Sequence, residues 1–160
     1  MSEKGRILVT WTPNVAEPTD RRVPMRRWFS RKRAAEAVSL DALEDADVLA
    51  ECRDEALSSS SVLADAGFSE RSDVVLRHVV FLRPEETDVL VGRYAADGYS
   101  PVSAIATDPA PPDGRVAVAV ARVQTVDPVS LSRERALMTS AASRVGGAYG
   151  GWTILGVPGR

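Results

Sequence analysis

The residues with obvious chemical potential in this 160-residue chain are one histidine, one cysteine, scattered serines and a run of arginines. His78 is the only candidate for general-base work. A base needs a nucleophile or carboxylate beside it and a second group to orient it. No nearby residue supplies either, and Leu76 and Val80 share the face of His78 on an extended segment, so a packed histidine is expected. Cys52 has no second cysteine for a disulfide and no cluster of metal ligands around it. No Gly-x-Ser-x-Gly elbow occurs among the serines. Gly146, Gly147, Gly150 and Gly151 follow a helix rather than open one, which leaves no helix N-terminus to hold a phosphate. The acids between Asp41 and Asp47 could in principle take magnesium, but a solvated acidic helix face explains them better. The residue types therefore predict no catalytic group, no metal site and no cofactor; the chain reads as a binding protein rather than an enzyme.

Charge is the next signal. The net charge is −2, with 44% hydrophobic and 26% charged residues, an ordinary balance for one globular domain. It hides a local asymmetry. Seven basic residues lie between Arg21 and Arg33 with no acid among them, and eight acids lie between Glu36 and Glu55 against Arg53 alone. Arg21, Arg22, Arg26 and Arg27 beside Trp28 and Phe29 could hold phosphates and stack bases, which makes a nucleic-acid-binding arm the alternative reading. The favoured one is an arm that meets the chain's own acids or a protein partner. A short intervening segment gives that internal pairing a high effective concentration. No signal-like or membrane-length apolar run occurs, so a cytoplasmic chain is expected.

The elements that must position these residues follow from periodicity and breakers. Pro13, Pro18 and Pro24 interrupt the first 33 residues, leaving room for a short strand over 6–11. Ser39 can cap an acidic helix, and a second helix is expected from about Asp54 to Ala66, weakened by the serines at 58–61. From Asp73 the pattern alternates: strand 73–82, helix 84–97 opened by Pro84 and two acids, strand 99–107, a proline-rich loop, strand 115–126, helix 128–145, strand 148–155. Asp127 and Pro128 suit the start of the last helix, and Leu131, Leu137, Met138, Ala141, Ala142 and Val145 make its apolar stripe. Gly146 suits its end. The order β-α-β-β-α-β is the split-βαβ, ferredoxin-like pattern of an α+β protein. It predicts a four-stranded antiparallel sheet with both helices on one face, over residues 54–157, preceded by an extension over 1–53. As a stacking platform for RNA that sheet is poor, because strand 115–126 has no aromatic and strand 73–82 only Phe81.

The chain closes on Gly146-Gly147-Ala148-Tyr149-Gly150-Gly151-Trp152, directly after a helix. This ending, with Gly98-Tyr99 after the first helix and the element order above, resembles the RraB family, regulators of ribonuclease E. The resemblance covers roughly residues 54–155. It lacks the family's acidic C-terminal tail and adds the arginine-rich arm. It implies a non-catalytic inhibitor or modulator that acts by protein contact on ribonuclease E or another RNA-degrading endonuclease. Tyr149 and Trp152 stand three apart, so in a regular strand they face opposite ways. One is expected to pack under the helices, and the other to reach the open face, where it could anchor a partner. The partner-binding candidates are Arg21, Arg22, Arg26, Arg27, Trp28, Tyr149 and Trp152.

Overall fold

A computed structural model of the protein describes Leu40 and residues 43–157. The strand expected over 6–11, the helix start at Ser39 and the whole basic arm from Arg21 to Arg33 lie outside the described residues.

The described chain is an α+β fold with five strands in one antiparallel sheet and three helices. The strands are β1 (Val48–Cys52), β2 (Arg71–Leu82), β3 (Ser100–Val102), β4 (Val116–Val126) and β5 (Ala148–Leu155). The helices are α1 (Ser59–Asp65), α2 (Thr87–Ala96, entered through a 3-10 turn at Pro84–Glu86) and α3 (Pro128–Arg144). The strand order is β1-β5-β2-β4-β3. β2 is central because from Val74 to Leu82 its sequence is apolar except at Arg77 and His78, which suits a strand covered on both faces.

Several expectations need correction. The acidic segment after Glu36 is not all helix: its described part holds a 3-10 turn at Leu43–Asp45 and then β1, which pairs with β5 through Cys52 opposite Trp152 and Glu51 opposite Thr153. The sheet therefore has five strands, and it begins before residue 54. The expected helix 54–66 shrinks to α1, and its serines open it rather than weaken it: the Ser58 hydroxyl accepts the N–H of Ser61, an ordinary N-cap. The strand expected over 99–107 keeps only Ser100–Val102, at the sheet edge where Pro101, lacking an N–H, is tolerated.

Elsewhere local rules and structure agree. The Asp127 carboxylate accepts the N–H groups of Val129 and Ser130, and the Ser130 hydroxyl takes the Asp127 N–H, a reciprocal cap with Pro128 at the first position. α3 buries Leu131, Met138, Ala141 and Ala142. Leu137, expected in the same stripe, instead stands 69% exposed.

All three helices pack on one face of the sheet. Leu63 of α1, Leu90 and Tyr94 of α2, and the α3 stripe meet Leu76, Val80, Leu82, Val120, Tyr149, Trp152 and Ile154 in one core. The other face is not open. Leu43 packs on Val75, Ala121 and Leu155, with Leu40 and Ile105 against the same group. Arg77, fully buried, points to this second face. It forms a bidentate pair with Asp108 and also donates to the Ser103 carbonyl at 2.8 Å. The Asp108 carboxylate accepts the Ile105 N–H at 2.9 Å as well. This clamp draws residues 103–108 across the back of the sheet, which is why β3 ends so early.

The turn of β5 at its glycines decides where the aromatics go. Val79 lies opposite Gly151, but Val80 lies opposite Tyr149, so Gly150 is an extra residue without a partner on β2. Such a bulge reverses the alternation of side chains beyond it. Tyr149 and Trp152 consequently share the helix face, against the expectation that they point apart. Gly151 has φ +114 and lies against the Cys52 carbonyl oxygen of β1, a conformation and a proximity that only glycine accepts without strain.

Candidate functional site

Besides the Arg77–Asp108 clamp on the second face, the described residues bring a cluster of polar and titratable groups together under the helices. His78 comes from the middle of β2, Tyr149 from β5, Arg122 and Gln124 from β4, Glu134 from α3, and Tyr99 from the turn between α2 and β3. Each arrives by a simple rule. His78, Arg122 and Gln124 have the parity of the buried helix-face residues of their strands. Glu134 is three residues after Leu131 and four before Met138, on the buried side of α3.

Tyr99 donates its hydroxyl hydrogen to Glu134 in a short hydrogen bond. Tyr149 and the His78 Nδ1 are 2.7 Å apart. The His78 Nε2 lies 3.5 Å from the Tyr99 oxygen and 3.8 Å from Glu134 Oε2. One proton assignment satisfies all of these: Tyr149 O–H donates to Nδ1, and Nε2 carries the hydrogen toward the Tyr99 oxygen and the carboxylate. The carboxylate is further loaded by Arg122 Nη2 at 2.7 Å and by Gln124 Nε2 at 2.9 and 3.0 Å.

The electrostatics follow from burial. Burial lowers the His78 pKa, the Glu134 carboxylate pulls it partly back, and the Arg122 charge lowers it again, so the ring is neutral. At 3.8 Å, with a neutral ring, the His78–Glu134 contact is a long, weak polar contact rather than a salt bridge. For Glu134, burial pushes the pKa up, but the contacts from His78, Tyr99 and Gln124 and the charge of Arg122 outweigh it and hold the group at about 2. Burial also pushes both Tyr99 and Tyr149 well above the usual phenol range, and Tyr94 up to about 12. Neither tyrosine of the network is poised to ionise near neutral pH.

The network borders a cleft. A cleft of about 230 Å³ between α2 and α3 is walled by Tyr99, Arg122 and Glu134 on the sheet side and by Leu137, Met138 and Ala141 on the α3 side. The Arg122 guanidinium carbon sits over the Tyr99 ring, 4.6 Å from its centroid, and Nη1 donates to the Asp97 carbonyl at 2.9 Å. His78 lies behind this wall, with no exposed surface.

Of the candidates nominated from the sequence, Tyr149 and Trp152 are brought together, but in the core: Tyr149 is 7% exposed and Trp152 is wholly buried. Neither presents a surface to a partner. Arg21, Arg22, Arg26, Arg27 and Trp28 lie outside the described residues. Sequence reasoning passed over Glu134, Tyr99 and Arg122. A signal existed for Glu134, a lone acid inside an otherwise apolar helical stripe, and for Arg122 and Gln124, which interrupt the valine parity of β4. Among the described residues no three His, Cys, Asp or Glu side chains come close enough to hold a metal ion, and no helix is long and apolar enough to cross a membrane. Comparison with family models, with curated proteins and with solved structures finds no match.

Proposed function

We propose that this chain is a non-catalytic protein-binding regulator, acting in the cytoplasm on a ribonuclease E-type endonuclease or a related RNA-degrading enzyme. The observation that carries the non-catalytic reading is the saturation of the polar network under the helices. His78 is sealed and neutral, its Nδ1 is taken by Tyr149, and Glu134 already accepts from Tyr99, Arg122 and Gln124. A general base must reach a substrate proton; here both candidate bases spend their lone pairs on the protein itself. What the surface offers is a cleft beside an exposed leucine, which suits recognition.

The partner class rests on the resemblance carried by Gly98-Tyr99, by the terminal Tyr149-Gly150-Gly151-Trp152 and by the element order. In support, β2-α2-β3-β4-α3-β5 reads as a split-βαβ, ferredoxin-like unit, with β1 as an added strand beside β5. The buried single cysteine suits a reducing compartment. An affinity pull-down from the native cell, with and without nuclease, tests the proposal. Nuclease-resistant recovery of an endonuclease, identified by mass spectrometry and by its activity on RNA, is the expected result. Recovery that vanishes with nuclease would replace this reading with the arginine-arm nucleic-acid module.

A further inference from the structure

At about 230 Å³ the cleft between α2 and α3 falls below the ~300–1,000 Å³ of pockets that enclose drug-sized ligands, in the range of a single amino acid. Most polar groups around it are already committed. The Tyr94 hydroxyl donates to the Met138 carbonyl at 3.2 Å, and the Tyr99 hydroxyl donates to Glu134. Glu134 accepts further bonds from Arg122 and Gln124. Three lining groups have capacity left. Arg93 is exposed, and its side chain has no hydrogen bond or ion pair among the described residues. The exposed Asp97 carboxylate is in the same state, since only the backbone of Asp97 is engaged. Arg122 carries four hydrogens on its two Nη atoms. It spends one on the Asp97 carbonyl and one on Glu134, and its side chain is still 31% exposed. Burial, and at Tyr99 also Glu134, dominates the tyrosine pKa values, but the Arg93 charge lowers that of Tyr94 and the Asp97 charge raises that of Tyr99. Both charges therefore act at the cleft.

What remains unspent is two cations, one carboxylate and, on the α3 side, the apolar wall of Leu137, Met138 and Ala141. With Glu134 counted, the formal charges cancel, two against two, so no net field selects a bare anion or a bare cation. A purely apolar guest would strip water from Arg93, Arg122 and Asp97 and give nothing back. A guest with a carboxylate for the guanidiniums and an ammonium for Asp97 satisfies all three. A free α-amino acid carries both groups on one carbon, whereas within a protein chain both are consumed in amides. Its third substituent meets the α3 wall, where no unspent polar group remains, so that substituent is apolar. We infer that the α2–α3 cleft binds a free apolar α-amino acid of the leucine and methionine class. Its carboxylate lies on Arg93 and Arg122, its ammonium on Asp97, and its side chain against Leu137, Met138 and Ala141. The assignment goes beyond the protein-binding reading and does not depend on it.

The test is a titration of the isotopically labelled full chain, followed by NMR, with leucine, isoleucine, valine and methionine. At least one should bind saturably and shift the amides of residues 93–97 and 137–141. Three probes then remove one feature each. The amide of the bound amino acid lacks the carboxylate, its N-acetyl form lacks the ammonium, and glycine lacks the side chain. Each should bind at least about tenfold more weakly. Arg93→Gln, at an exposed helical site, should weaken binding by at least about tenfold while leaving the melting temperature of the ligand-free protein unchanged. Excess ligand should raise the melting temperature of the wild type and not that of Arg93→Gln. Arg83→Gln, at an exposed site outside the cleft, should bind as the wild type does. No saturable shift with any of the four amino acids would overturn the inference. So would equal binding of any of the three reduced probes, wild-type binding by Arg93→Gln, or an equal loss in Arg83→Gln.

Discussion

The Tyr149 hydroxyl donates to the His78 Nδ1 at 2.7 Å, joining residues 71 positions apart on adjacent central strands. This bond depends on the bulge at Gly150, because without it Tyr149 would face the other side of the sheet. It also fixes the histidine tautomer, and through Tyr99 and Glu134 it connects the core to the α2–α3 cleft.

Stability should fall in acid in two stages of the same sign. His78 has a folded pKa below its ordinary value of 6.5. Below pH 6.5 the unfolded chain therefore binds a proton that the folded one refuses, and stability declines as pH drops toward the folded pKa. Glu134 is held at about 2 against an ordinary 4.5, so its contribution is complete above 4.5 and is lost as pH falls from there toward 2. Urea melts across this range should show both declines. In His78→Leu/Tyr149→Phe the first should flatten, provided the double variant folds at neutral pH; persistence of the upper decline would mean that another group controls it.

Gly151→Ala should destabilise the fold by at least about 2 kcal/mol, because it forces a side chain into a positive-φ conformation and against the Cys52 carbonyl. Equilibrium denaturation reads the loss, and a neutral result would contradict the bulge geometry.

Asp108→Ala should cost about 3–5 kcal/mol by leaving the Arg77 charge buried and unpaired. Adding Arg77→Met should recover most of that loss, since replacing both members of a buried pair by apolar groups is often neutral. Failure of the second change to rescue the first, in a double-mutant cycle, would show that Asp108 acts mainly by shaping the 103–108 loop.

Trp152→Ala should cost about 3–5 kcal/mol as a wholly buried aromatic. Trp152→Phe should cost distinctly less, because the indole N–H has no hydrogen-bond partner among the described residues. Comparable melts of the two variants would refute this account of the site.

What the sequence alone determined here is what neighbours in the chain decide between themselves. The α3 start at Asp127, Pro128 and Ser130 is a set of bonds within three residues. The stop at Gly146, with φ +69, is a single-residue preference. The apolar run of β2 needs no partner to be read. Tertiary structure decided everything that depends on a distant strand. Val48–Cys52 is a strand because β5 offers it a free edge, overriding its acidic surroundings. β3 is short because Arg77 takes the Ser103 carbonyl and Asp108. Glu134 and Arg77 were visible as charges in apolar patterns, but their partners are not periodic with them. The faces of Tyr149 and Trp152 turned on one unmatched glycine. Alternation along a strand is a local rule, and a bulge that breaks it exists only because strands on both sides hold the register around it.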